Sequence, residues 1–113
     1  MANVVIETID KNPTLKRTYR HLLRQLRRVG PITVEEKKTS VHLKAKSGFA
    51  GVHPRKDHLV LQIVSAAPIK SPRVFKVGQA SKSRYHNHVR LARESDVDGV
   101  LLEWLSEAYT LMS

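Results

Sequence analysis

The chain predicts an α+β fold, a single two-layer domain in which a mainly antiparallel, meandering sheet of about five or six strands packs one face against an N-terminal and a C-terminal helix. Three observations carry this. Apolar residues recur at helical spacing near both ends of the 113 residues and at every second position between them. The links between the alternating stretches are too short to hold crossover helices, which makes the strand pairs antiparallel. The length suits one core and no more. Residues 1–12 are expected as an N-terminal arm and residues 13–113 as the domain.

The first helix is "NPTLKRTYRHLLRQLRRVGP". Asn12 is its N-cap, Pro13 opens it and Gly30-Pro31 stops it. Leu15, Tyr19, Leu22, Leu23, Leu26 and Val29 form its apolar stripe, and the other faces carry Lys16, Arg17, Arg20, Arg24, Arg27 and Arg28 without an acid. Strands follow over Ile32 to Lys46 (one bent strand or a pair), Phe49 to His53, His58 to Ser65, Arg73 to Val77 and Arg84 to Ala92. "PRKD" is read as a turn, and "APIKSP" and "GQASKS" as loops. The last helix is "SDVDGVLLEWLSEAYTLM", capped by Ser95 with Asp98 three positions on, and burying Val97, Val100, Leu101, Trp104, Leu105, Ala108, Leu111 and Met112.

Alternation sorts the strand residues into two faces. Val41, Leu43, Ala45, Leu59, Leu61, Ile63, Val89 and Leu91 fall on one, to be covered by the helices. The other displays His42, Lys44, Gln62, Arg84, His86, His88 and Arg90, provided that these strands are neighbours.

Composition excludes several functions. There is no cysteine, so disulfides, thiolate metal sites and thiol nucleophiles are ruled out. No phosphate-binding loop or dinucleotide fingerprint occurs, and no cofactor is expected. No apolar run approaches a membrane span and no leader is evident, so a cytoplasmic protein without membrane contact is expected. The net charge is +10, and it is unevenly placed: residues 1–93 hold all 20 Lys and Arg against 5 acids, while residues 94–113 hold 5 acids and neither base. Such a body attracts polyanions at long range.

The motif "RYHNHVRL" sets His86 and His88 on one strand face between Arg84 and Arg90. Two imidazoles with His42 as a third suggest a metal, but the surrounding cations oppose a dication, and no metal is assigned. As an acid and base, His86 and His88 suit phosphodiester hydrolysis. Glu36-x-Lys38 matches half of a metal-dependent nuclease pattern, yet neither Asp10 nor Asp57 supplies the other half. "FAGVHPRKD" places Arg55 and Lys56 at a turn where an anion is readily gripped.

The run from "GPITVEEKKTSVHLKAKSGFAGVHPRKDHLVLQI" through "SPRVFKVGQASKSRYHNHVRL" to "VDGVLLEWLSEAYTL" resembles the uncharacterised bacterial domain-of-unknown-function family 5655, over roughly Pro13 to Leu111. The resemblance rests on Lys38-Thr39, Phe49-Ala50, His53-Pro54-Arg55-Lys56, Pro72-Arg73, Arg84-Tyr85-His86, Trp104-Leu105 and Ala108-Tyr109. It implies a compact α+β domain with a meandering sheet and flanking helices. It implies little about function: some relatives adjoin zinc-like or nuclease-like segments, and a "predicted transport protein" label attached to others gives no mechanism.

The sequence therefore leads to an expected non-enzymatic binding module whose basic sheet face takes nucleic acid or another polyanion. Its expected anion-binding residues are Lys38, His42, Lys44, Arg55, Lys56, Arg73, Arg84, His86, His88 and Arg90. Two alternatives stand beside it: a small phosphodiesterase or hydrolase using His86 and His88, and a structural or regulatory domain that forms a homodimer.

Overall fold

The computed structural model describes residues 4–113, with side chains described from Glu7 onward. Its helices are α1 (Val4–Asp10), α2 (Pro13–Val29) and α3 (Gly99–Leu111), and its strands are β1 (Thr33–Glu36), β2 (Val41–Lys44), β3 (Gly48–Pro54), β4 (Leu59–Ser65), β5 (Val74–Ser81) and β6 (Arg84–Leu91). All six strands form one antiparallel sheet in the order β1-β2-β3-β4-β6-β5. The meander is broken once, where β5 runs out to the edge and β6 returns to pair with β4. The α+β class expected from the sequence is the one observed.

The helices cover one face. Leu59, Leu61 and Ile63 of β4 and Val89 and Leu91 of β6 are buried under Leu15, Leu22 and Leu26 of α2 and Leu101 and Leu105 of α3. Each such side chain contributes about 1.5–3 kcal/mol on burial. One polar group lies among them. Asn87 is fully buried, donates to the Ile63 carbonyl at 3.0 Å and to Ser65 Oγ at 2.7 Å, and accepts the Ile69 N–H at 2.9 Å. It ties the loop before β5 to the sheet.

The start of α2 is as its sequence requires. Asn12 Oδ1 accepts from the N–H groups of Thr14 and Leu15 at 3.0 and 3.2 Å, satisfying donors that have no partner within the helix. At its other end Gly30 lets Tyr109 approach closely: a Cβ there would lie 2.5 Å from the tyrosine oxygen, which donates to the Pro31 carbonyl at 2.8 Å.

Three local expectations need correction, and the N-terminal segment carries a helix besides. The N-terminal arm is helical over Val4–Asp10, with Ile9 buried in the core; so short a helix shows no periodicity and is held by packing. Residues 1–3 of the arm lie outside the described residues. The final helix is capped by Asp98, whose carboxylate accepts from the Leu101 N–H at 3.0 Å. Ser95 falls in a single 3-10 turn over Glu94–Asp96, and Val100 is 53% exposed instead of buried. Strand β5 continues to Ser81 through the expected "GQASKS" loop, because an edge strand needs no apolar side to remain paired.

Candidate functional site

The face away from the helices is open, and strand register decides what it displays. One cross-strand row runs Glu35, His42, Gly51, Gln62, His88, Lys76 from β1 to β5. Beside it run the rows His53, Val60, Arg90 and Val64, His86, Gly78. Imidazoles from β2, β3 and β6 are thus gathered around one glutamine.

Gln62 organises them. Its Nε2 donates to His86 Nδ1 across 2.5 Å, which leaves the ring proton of neutral His86 on Nε2, available to a ligand. The same side chain stands beside His53, where its polar amide favours the protonated ring and partly offsets the effect of burial. His42, Ala50, Gly51, His53, Gln62, Val64 and His86 line a shallow depression of about 170 Å³.

A second depression, of about 260 Å³, lies against the first and is lined by Arg55, His58, Val60, Phe75, Lys76, His88 and Arg90. The Arg90 guanidinium stacks 4.1 Å from the centre of the Phe75 ring, whose edge also meets His88. A bulge between Val74 and Lys76 lets the consecutive residues Phe75 and Lys76 both line this hollow. Beneath them Val60 and Val64 are only 6% and 7% exposed, so the open face has an apolar floor under its polar side chains.

Burial is the main cause that pushes the pKa of both His53 and His88 below the usual histidine range. Arg55 adds to it at His53, and Lys76 at His88. Both shifts favour the uncharged ring at neutral pH.

The residues expected from the sequence divide into groups. His42, His86, His88, Arg90 and Arg55 surround the two depressions. Lys44 is ion-paired with Glu35 at 3.3 Å, so a carboxylate does stand on this face, at its β1 end, where the sequence suggested none. Lys37 pairs with the same carboxylate. Lys38 and Lys56 are exposed in turns, and Arg84 donates to the carbonyl and hydroxyl of Ser83 at the mouth of the β5–β6 hairpin. Arg73 is engaged elsewhere: it grips Asp98 at 3.0 and 3.1 Å and the Asp96 carbonyl at 2.7 Å, securing the start of α3. Glu36 closes β1 while Lys38 lies in the following turn, so the two do not share a strand face.

Sequence reasoning passes over His53 and Lys76 as site residues and counts Phe75 only among the candidate exposed aromatics, with Phe49 and Tyr85. His53 alternates with Gly51 on β3, a signal hidden when "FAGVHPRKD" is read as a hairpin tip. The other two depend on a bulge that alternation does not reveal. Among the described residues no group of three or more His, Asp or Glu is arranged to hold a metal, and no helix is long and apolar enough to cross a membrane.

Fold and site together define a small α+β domain with one helix-covered face and one open, cation- and imidazole-bearing face. Residues 5–112 match the family described as "Domain of unknown function (DUF5655)", and the chain belongs to that family. No curated protein and no solved structure matches the chain.

Proposed function

We propose that this domain is a non-enzymatic module that binds nucleic acid on the open face of its sheet. One observation carries the reading: β3, β4, β5 and β6 contain no Asp or Glu, while their open side gathers His53, Gln62, Lys76, His86, His88 and Arg90 with Arg55 at the rim. Such a surface offers hydrogen-bond donors and positive charge to successive phosphates, with no carboxylate on those strands to repel them. Phe75, 43% exposed, is its one large aromatic platform. Contacts therefore go mainly to the backbone, with weak sequence preference and steep salt dependence. The reading puts the domain in the cytoplasm.

Two features favour binding over hydrolysis or dimerisation. One nitrogen of His86 is already taken up by the Gln62 amide, which leaves a single ring position facing a ligand and suits a fixed hydrogen-bonding role better than proton shuttling with His88. The β5 edge is interrupted by two register shifts and carries Lys76, features that discourage strand-to-strand pairing between copies.

The test is binding of labelled single strands and duplexes across a salt series. Removing Arg55, Lys76 and Arg90 together should flatten the log–log salt slope by about 2 to 3, at about 0.7–0.9 per phosphate contact. Unchanged affinity and slope in that triple variant would refute the placement.

A further inference from the structure

The charge of α2 is arranged as carefully as that of the sheet. At about 100° per residue, its buried positions Leu15, Thr18, Tyr19, Leu22 and Leu26 cluster on one side, and Lys16, Arg17, Arg20, Arg24, Arg27 and Arg28 fall within an arc of roughly 120° on the opposite side. That arc points away from the sheet. Along the axis the six cations span about 18 Å, at about 1.5 Å per residue, comparable with about five successive phosphates of one strand of a duplex at about 3.4 Å each.

Few of these charges are compensated. Lys16 reaches Asp10 at 3.9 Å and Arg17 reaches Glu94 at 3.8 Å, both at the helix's first turns. Arg20, Arg24, Arg27 and Arg28 are exposed and make no ion pair or side-chain hydrogen bond among the described residues. Arg27 and Arg28 stand in the last turn, where the helix dipole favours cations. Arg20 and Arg24 lie mid-helix and gain nothing from the dipole, while like charges at this spacing repel.

Resting on the nucleic-acid reading of the sheet, we infer that the outward face of α2 is a second nucleic-acid backbone contact, so that one domain holds two nucleic-acid segments at once. The two faces lie on opposite sides of a molecule 25 Å across at its thinnest, more than twice the Debye length of about 10 Å at moderate salt. A segment bound on one face therefore does not neutralise the charge of the other. An anionic membrane suits the arc less well: the apolar residue that flanks it, Leu23, is partly buried, and no large apolar side chain of α2 stands exposed to insert.

The experiment mixes two duplexes carrying donor and acceptor dyes with the full chain and reads energy transfer between them, with light scattering at the same protein concentration. The variant Arg20→Ala, Arg24→Ala, Arg27→Ala, Arg28→Ala keeps a strong helix former at each position, and circular dichroism confirms its fold. Transfer should appear with the unaltered monomer and be lost in this variant, which should still bind one duplex with a salt slope shallower by about 3 to 4. The open-face triple variant should likewise bind one duplex without joining two.

Full transfer in the α2 variant would overturn the inference and leave the sheet reading intact. So would transfer accompanied by the mass of a dimer. Loss of all binding in the α2 variant, with the open-face variant unaffected, would overturn both, making α2 the only contact. Binding to anionic vesicles through α2 without any binding to duplex would also defeat both.

Discussion

Strand β6 shows two regions of the molecule one residue apart. Asn87, Val89 and Leu91 point into the helix-covered layer and are fully buried, whereas His86, His88 and Arg90 point to the open face and line the two depressions. The first set is satisfied entirely from within: Asn87 makes its three hydrogen bonds inside the protein. On the second, Gln62 satisfies one nitrogen of His86 and leaves the other for a ligand. Stability and recognition are thus separated by the two-residue period of the strand, and substitutions on the two faces should affect different measurements.

The largest effect is expected on the covered face. Leu61→Ala removes a fully buried side chain opposite Val89 and should cost about 2–5 kcal/mol in denaturant unfolding. Its nucleic-acid affinity, measured where the variant is folded, should match that of the unaltered protein; a proportionate loss of affinity would mean that the faces are not separable. Asn87→Ala should follow at about 1–3 kcal/mol, by leaving buried partners such as the Ile69 N–H unsatisfied. Faster amide exchange at Ile69 would locate the damage.

Acidification sharpens the comparison because it acts through the open face and moves stability and affinity in opposite directions. His53 and His88 have folded-state pKa values below their unfolded ones, so their contribution to stability is complete above the usual histidine pKa and is lost as pH falls through the folded values. Between about pH 7 and pH 5, near the ordinary histidine range, the free protein should lose stability while its affinity for nucleic acid rises. Titration calorimetry in buffers of different ionisation enthalpy should show proton uptake on binding. Proton release would contradict the assignment of these rings to the interface.

The smallest effect belongs to the corner that joins strand and helix. The α3 cap, where the Leu101 N–H and then Arg73 hold the Asp98 carboxyl below its ordinary range, should yield about 1 kcal/mol in Asp98→Ala. Because the Asp98 pKa is depressed, its stabilising contribution is present above the unfolded carboxylate value and is lost as pH falls through the folded one. The difference between Asp98→Ala and the parent should therefore vanish in acid; a constant difference would assign the effect to something other than the carboxylate.

Much of this is legible in the sequence. The apolar spacing in α2 and the alternation in β2, β4 and β6 report burial directly, since each side chain's direction follows from the backbone repeat. His42, His86, His88 and Arg90 were assigned to the open face on that ground. His53, Phe75 and Lys76 were not, because one lies next to a turn-like Gly and Pro pattern and the others straddle a bulge. Arg73 looked like a free cation because its partners Asp96 and Asp98 lie more than twenty positions along the chain.

Sequence by itself determined the α+β class, the two amphipathic helices, the sidedness of the strands and the charge imbalance, all of which follow from local periodicity and composition. Only the tertiary structure decided the order β4-β6-β5, and with it which side chains meet. Pairing between distant strands is chosen by the packing of the whole core. That packing set Gln62 between His53 and His86, gave Lys44 its carboxylate, and turned the arginines of α2 to the side opposite the sheet face.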